Sequence, residues 1–214
     1  MKIKHLLVFL ILLSGFVYSN QSFGLKPGIN LSRTEYRLIP DRKIIATFGG
    51  EICYDIDLLN HKHFGIGIGY SGQGLSFNTI WIDSLGASPV PYKTTLKFHY
   101  INIPIKIGYR MNNVIWSIGV DPSLFLTGTA RRPDISNTGT FNGYKTDTFN
   151  EGINRFDLGV LIECKMMIKI SERILLNPAI TYRYGLINAF KDNTFYARHR
   201  GLTLSICLGY QLGN

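Results

Sequence analysis

The stretch Tyr100-Ile-Asn-Ile-Pro-Ile-Lys-Ile-Gly-Tyr-Arg110, followed by Met111-Asn-Asn113 and Val114-Ile-Trp-Ser-Ile-Gly-Val120, decides the fold. Ile101, Ile103, Ile105, Ile107 and Tyr109 alternate with Asn102, Pro104, Lys106, Gly108 and Arg110. Val114, Trp116, Ile118 and Val120 then share a face opposite Ser117, Gly119 and Asp121. A period of two is the signature of a strand with one apolar and one polar face. Asn112-Asn113 suits a two-residue turn because Asn tolerates positive φ. Such a turn sets Met111 opposite Val114, apolar against apolar, so the register survives the hairpin.

Working outward, the same alternation recurs in eight segments: Phe23–Arg33, Thr47–Leu58, Phe64–Gly72, Lys97–Arg110, Val114–Thr127, Arg155–Ile170, Ile174–Leu186 and Gly201–Leu212. Each has about the 9–11 residues or more that a tilted strand needs to cross a bilayer. The joins between them alternate. Leu59–His63, Met111–Asn113 and Ser171–Arg173 are short, whereas Thr34–Ala46, Gln73–Leu96, Gly128–Asn154 and Ile187–Arg200 are long. A soluble sandwich also alternates apolar and polar faces, but it has no reason to sort its loops by length. Short periplasmic turns and long outer loops are what a transmembrane barrel has. The expected fold is therefore all-β, an eight-stranded antiparallel transmembrane β-barrel with both termini on the periplasmic side.

Residues 1–19 read as a secretory signal: Lys2 and Lys4 precede the apolar run Leu6–Leu13, and Val17 and Ser19 are small enough for a cut near Ser19–Asn20. That run falls short of the ~20 residues of a membrane-spanning helix. The barrel domain is expected over 20–214. Removing Lys2 and Lys4 with the leader leaves 21 basic residues against 14 acidic ones, an excess of +7. Export argues against nucleic acid as the partner, and the basic residues Arg131, Arg132, Lys145, Lys191, Arg198 and Arg200 are spread over several proposed loops. Cys53, Cys164 and Cys207 are odd in number and lack metal-ligand spacing, so they read as three isolated thiols.

With the apolar face toward lipid, the polar face lines the interior, and eight strands leave just enough room to fill it with side chains. The interior charge network is expected from Glu51, Asp55, Asp57, Lys106, Arg110, Asp121, Asp157, Glu163, Lys165 and Arg183, with Glu163 and Arg183 as diagonal neighbours across adjacent strands. Both signs are present, so the expected interior is an ion-paired plug and not a wide pore. Phe48, Phe64, Tyr70, Tyr109, Trp116, Phe156, Tyr184 and Tyr210 lie near strand ends and could form interfacial girdles. Pro27, Pro104, Pro122 and Pro178 fall inside proposed strands, where each removes a ladder donor, so bulges or breaks are expected there.

No nucleotide loop, metal cluster or nucleophile triad is present, and no cofactor is expected. Gly65-x-Gly67-x-Gly69 is read as strand packing, because no helix follows it. His99 lies near the outer end of its strand without a paired acid and nucleophile, and His61 and His63 fall in a predicted periplasmic turn as solvated residues.

Tyr100–Tyr109, Arg155-Phe-Asp-Leu-Gly159 and Thr181-Tyr-Arg-Tyr-Gly-Leu-Ile-Asn188, in that order, resemble the PorT-like outer-membrane β-barrel domain found widely in Bacteroidetes. With Phe23–Asn30 as a first strand, the resemblance covers nearly all of the chain after the leader. It implies an integral outer-membrane protein. PorT itself is linked to type IX secretion, and most relatives have no assigned role. The expected function is a structural or accessory role in the envelope, without enzymatic activity. The expected partners are outer-membrane lipid and lipopolysaccharide, the barrel-assembly machinery (recognising Tyr210 or Leu212, or following a looser rule) and envelope or secretion proteins. The alternatives are a soluble periplasmic ligand-binding barrel and a lipid-modifying enzyme that would depend on His99.

Overall fold

The computed structural model describes residues 20–36, 42–81, 90–136, 140–192 and 196–212. The expected leader, 1–19, lies outside them, as do the tips of the four long joins. The described residues form one antiparallel sheet of eleven strands: β1 (Asn20–Tyr36), β2 (Ile45–Asp57), β3 (Lys62–Trp81), β4 (Val90–Asn102), β5 (Ile105–Met111), β6 (Val114–Ile135), β7 (Phe141–Phe149), β8 (Phe156–Met166), β9 (Ile168–Lys169), β10 (Ile174–Gly185) and β11 (Ala197–Leu212). β4 with β5, and β8 with β9, are each one stave with a break. The staves run β1, β2, β3, β4/β5, β6, β8/β9, β10 and β11, and β11 pairs with β1 to close the ring. β7 lies off the ring and pairs only with the outer part of β6.

The hairpin register is as the sequence predicts. Met111 faces Val114 with Asn112 at φ 55°, and the Ile170 N–H donates to the Ile174 carbonyl at 2.9 Å. The alternation also sorts the faces: Leu25, Ile29, Ile107, Ile118, Ile162, Ile180 and Leu208 project outward and exposed, while Lys26, Asp55, Lys106, Asp121, Glu163 and Lys165 are buried inside. An apolar belt around a closed ring is suited to lipid and unsuited to water, which removes the soluble periplasmic reading. Phe23, Tyr109, Trp116 and Tyr210 lie at the periplasmic end of the belt, and Phe48, Tyr70 and Phe156 lie at its outer end.

Two of the expected loops are sheet. Gln73–Leu96 is mostly the continuation of the β3–β4 hairpin, paired out to Trp81 and Val90, and Gly128–Asn154 is mostly the β6–β7 hairpin. The prolines behave as donors missing from a ladder and not as bulges. The β1–β11 ladder skips Lys26 and Pro27, the β3 and β6 ladders skip Ile103 and Pro104, and the β8/β9 ladder breaks opposite Asn177 and Pro178, all with the register unchanged on either side. The register shift in the ring falls instead between His99 and Tyr100, where β6 carries one extra residue.

At the outer end the wall overlaps itself. The β2–β3 ladder stops at Gly49 and Ser71, while β1–β2 continues to Ser32 and Ile45. Beyond that point Gly72, Gly74 and Ser76 of β3 slide under the inner face of β1 and β2. Asn30 Nδ2 donates to the Gly72 carbonyl at 2.7 Å, Ser32 Oγ donates to the Gly74 carbonyl at 3.4 Å, and Lys43 bridges to Ser76. A Cβ on Gly72 would meet Thr47, and one on Gly74 would meet Ile45 and the Leu96 carbonyl. Only residues this small allow the overlap.

Candidate functional site

Three tiers of side chains fill the interior. At the periplasmic end, Asp57 takes Arg110 Nη1 at 2.8 Å and His63 Nδ1 at 2.9 Å. Asp55 takes Lys165 Nζ at 2.8 Å and His63 Nε2 at 3.1 Å. In the middle, Glu163 accepts from Lys26, from Lys106 at 3.1 Å and from Thr181 Oγ1 at 2.9 Å, and Glu51 lies 3.5 Å from both lysines. Above them Arg183 spans two acids, with Nε 2.6 Å from Asp121 and Nη2 2.9 Å from Asp157.

These contacts follow from closure. Lys26, Glu51, Lys106 and Glu163 come from four staves (β1, β2, β5 and β8) and converge because the ring brings them around one axis. Strand β3 supplies Gly65, Gly67 and Gly69 inside, and a Cβ on Gly65 or Gly67 would strike Asp55 or Glu51. The glycine row is the space into which the carboxylates lean. The five cations Lys26, Lys106, Arg110, Lys165 and Arg183 stand against the six carboxylates Glu51, Asp55, Asp57, Asp121, Asp157 and Glu163. A buried charge this far from water is tolerated only when it is paired.

Every residue expected in the network lies in it, but some partners differ. Glu163 and Arg183 are diagonal in register, since Thr181 faces Glu163 and Arg183 faces Leu161, yet each pairs elsewhere. Lys26 occupies an inward period-two position and was nonetheless absent from the expected set; it holds the central carboxylate. His63 is not a solvated turn residue: it is 2 % exposed, hydrogen-bonded to Asp57 and 3.1 Å from Asp55. The thiols are not all isolated. Cys53 and Cys207 meet at 3.3 Å across Gly24, which has no side chain to separate them, and both are free.

Above these three charged tiers lies an apolar cap, which the expected ion-paired interior does not include. Leu75, Phe98, Tyr100 and Ile153 form a fully buried cluster, with Phe77, Leu96, Phe125, Phe149 and Phe190 packed around it. Phe98 meets Phe149 and Phe190 edge-on, with ring centroids 5.6 and 6.2 Å apart. His199 joins this cap to the polar tiers, bonded to Thr34 Oγ1 at 2.9 Å and to the Tyr100 hydroxyl at 3.0 Å. The signal for the cap was present in Leu96, Phe98 and Tyr100, which alternate on the inward face of β4. Between cap and network, an interior cavity of about 80 Å³ is lined by Ser71, Gln73, Asn102 and Lys106 among others, a volume suited to a few bound waters.

His99 projects away from this interior. Its ring stacks on Tyr70, with Nδ1 2.5 Å from the tyrosine hydroxyl. Among the described residues no group of three or more His, Cys, Asp and Glu is arranged to hold a metal ion.

The closed ring, the outward apolar belt and the ion-paired interior define a small transmembrane β-barrel with a filled lumen. The family described as an outer membrane protein beta-barrel domain matches residues 12–191, and the chain belongs to it; it is an outer-membrane protein. Among solved structures it is similar to Ail, the attachment invasion locus protein of Yersinia pestis, solved with a heparin analogue (12 % identity, 90 % of this chain and 99 % of that one, TM-score 0.44). It is also similar to neisserial surface protein A (16 %, 87 % and 96 %, TM-score 0.44) and to OprG of Pseudomonas aeruginosa (10 %, 92 % and 98 %, TM-score 0.41). No curated protein matches the chain in sequence.

Proposed function

We propose that this protein is a structural or accessory barrel of the outer membrane, neither an enzyme nor a wide pore, whose outer surface engages lipopolysaccharide and envelope partners. One observation carries the reading: among the described residues the lumen is blocked at two levels, by ion pairs below and by aromatic rings above. A solute path would need a continuous polar channel, and the Phe98 cluster stands across it. The engagement of the His99 ring nitrogen by the Tyr70 hydroxyl, with no carboxylate among the described residues within ion-pair distance, favours a non-catalytic role. The PorT-like motifs favour placing that role in the envelope or in protein secretion. A deletion strain that exports its envelope cargo normally would remove the secretion variant.

Planar-bilayer recording tests the reading. The wild-type barrel should give no stable open-pore current. Arg183→Ala should lower the unfolding midpoint in detergent, since it strands Asp121 and Asp157, without opening a conductance. A large, steady current from either protein would overturn the proposal.

A further inference from the structure

The outer wall of the barrel carries a second built feature, apart from the interior network. Where β1 and β2 overlap β3, the wall forms a step. Its riser is the segment Ile44–Ala46, and its tread is the outward face of β4, β6 and β7, carrying Lys93, Thr95, Lys97, Thr129, Arg131 and Thr146. The groove between them has a volume of about 390 Å³, within the range of small-ligand sites. We propose that this ledge binds the phosphate-bearing headgroup of a glycolipid in the outer leaflet. The proposal deepens the lipopolysaccharide contact in the accessory-barrel reading and rests on it.

Height on the wall favours that occupant. Along the β4/β5 stave the exposed apolar row Ile107, Ile105, Ile103 and Ile101 gives way to His99, then Lys97, Thr95 and Lys93. On β6 the row Ile118, Val120, Leu124 and Leu126 gives way to Thr129 and Arg131. At about 3.3 Å per residue and a tilt near 40°, Lys97 lies roughly 10 Å beyond Ile101, at headgroup level. Ile44, 62 % exposed beside the groove, offers apolar surface to the upper part of an acyl chain.

Charge favours the same occupant. Among the described residues, Lys93, Lys97 and Arg131 have no carboxylate within ion-pair distance. On the opposite face of the same β6–β7 hairpin the cations are matched: Arg132 holds Asp147 at 2.7 Å and Lys145 holds Asp134 at 3.2 Å. The hairpin thus gathers its two acids on one face and leaves the ledge face purely cationic. Arg131 lies over the Tyr144 ring at 4.9 Å, which keeps the guanidinium at the rim. The Thr129 and Thr146 hydroxyls are additional donors to phosphate oxygens, whereas Thr95 Oγ1 already donates to Ser76 Oγ at 3.3 Å.

The test uses the full barrel in phosphatidylcholine nanodiscs doped with diphosphoryl lipid A, with dephosphorylated lipid A as the second arm and millimolar inorganic phosphate as the competitor. Bound glycolipid is counted by native mass spectrometry. The wild type should retain the diphosphoryl form selectively. The variant K93Q/K97Q/R131Q should retain about tenfold less or lower still, whereas R132Q/K145Q should match the wild type. Heat-modifiable mobility confirms that each variant is folded. Equal retention by the triple variant, equal binding of the dephosphorylated lipid, or full displacement by inorganic phosphate would overturn the ledge. Channel current or lipid turnover in the same discs, with selective retention intact, would overturn the accessory reading and leave the ledge standing.

Discussion

The lower and upper halves of the lumen are filled by opposite chemistries. Below, Glu163 is surrounded by Lys26, Lys106 and Thr181, and the five cations and six carboxylates of the network each have a partner from another stave. Above, Phe98 is surrounded by Phe125, Phe149, Phe190 and His199, contributed partly by segments outside the ring. The lower half is a product of closure alone: a regular ring converges its inward row on the axis. The upper half needs the ring to break its own regularity, with β3 tucked under β1 and β2 and a bulge at the outer part of β6. The charged tiers therefore belong to the barrel as a fold, and the aromatic cap belongs to this chain's own outer hairpins.

The sharpest way to break the comparison is Glu163→Gln. The carboxylate is fully buried, and its loss leaves Lys26 and Lys106 sharing only Glu51, 3.5 Å from each. Removing one partner of a buried pair costs about 3–5 kcal/mol. Urea unfolding in detergent micelles should show a loss of that order, with the outer cap still protected in hydrogen exchange. A loss below about 1 kcal/mol would mean that the lower tier is hydrated and not dry.

Gly74→Ala probes the upper half at smaller cost. The added methyl would meet the Leu96 carbonyl and Ile45 where β3 passes under β2. Overpacking of this kind costs about 1–3 kcal/mol. At Gly67 the three atoms nearest the added methyl all belong to the Glu51 side chain, whose contacts with Lys26 and Lys106 are the long ones of the network at 3.5 Å, so the same change should cost less. Near-equal losses at the two sites would show that the overlap is loose.

The lower half was largely legible in the sequence, and the reason is periodicity. Period two assigns each residue a face, and two short turns with apolar residues on both sides fix the register, so the pattern alone puts Lys106, Glu163 and Arg183 inside. Partner choice was not legible. It depends on which staves face each other across the closed ring, and no local pattern encodes that; hence Arg183 meets Asp121 and Asp157 and not Glu163. His63 was misplaced for a related reason. Its neighbours Asn60 and His61 carry the positive φ of the turn, and the ladder already begins at Lys62. The outer hairpins were hidden by their composition. Threonines, charges and glycines in 73–96 and 128–154 look like loop, although an edge far from lipid needs no apolar face to stay paired. The register shift on β6 then changes the facing of every residue beyond it.

The mildest test lies on one of those hairpins. Arg132 and Asp147 pair at 2.7 Å but are 56 % and 42 % exposed, so water screens them and the side chains lose freedom in meeting. Exposed pairs of this sort contribute roughly 0.2–1 kcal/mol. Arg132→Gln should therefore leave the unfolding midpoint of the barrel almost unmoved, and high salt should shrink the residual difference further, since exposed charges are screened over about 10 Å at 0.1 M. Glu163→Gln should keep most of its cost in the same salt, because the pairs it breaks are shielded from ions by the ring. A barrel in which both variants respond alike to salt would have a lumen open to the medium, and the contrast between a dry charged floor and a solvated outer hairpin would fail.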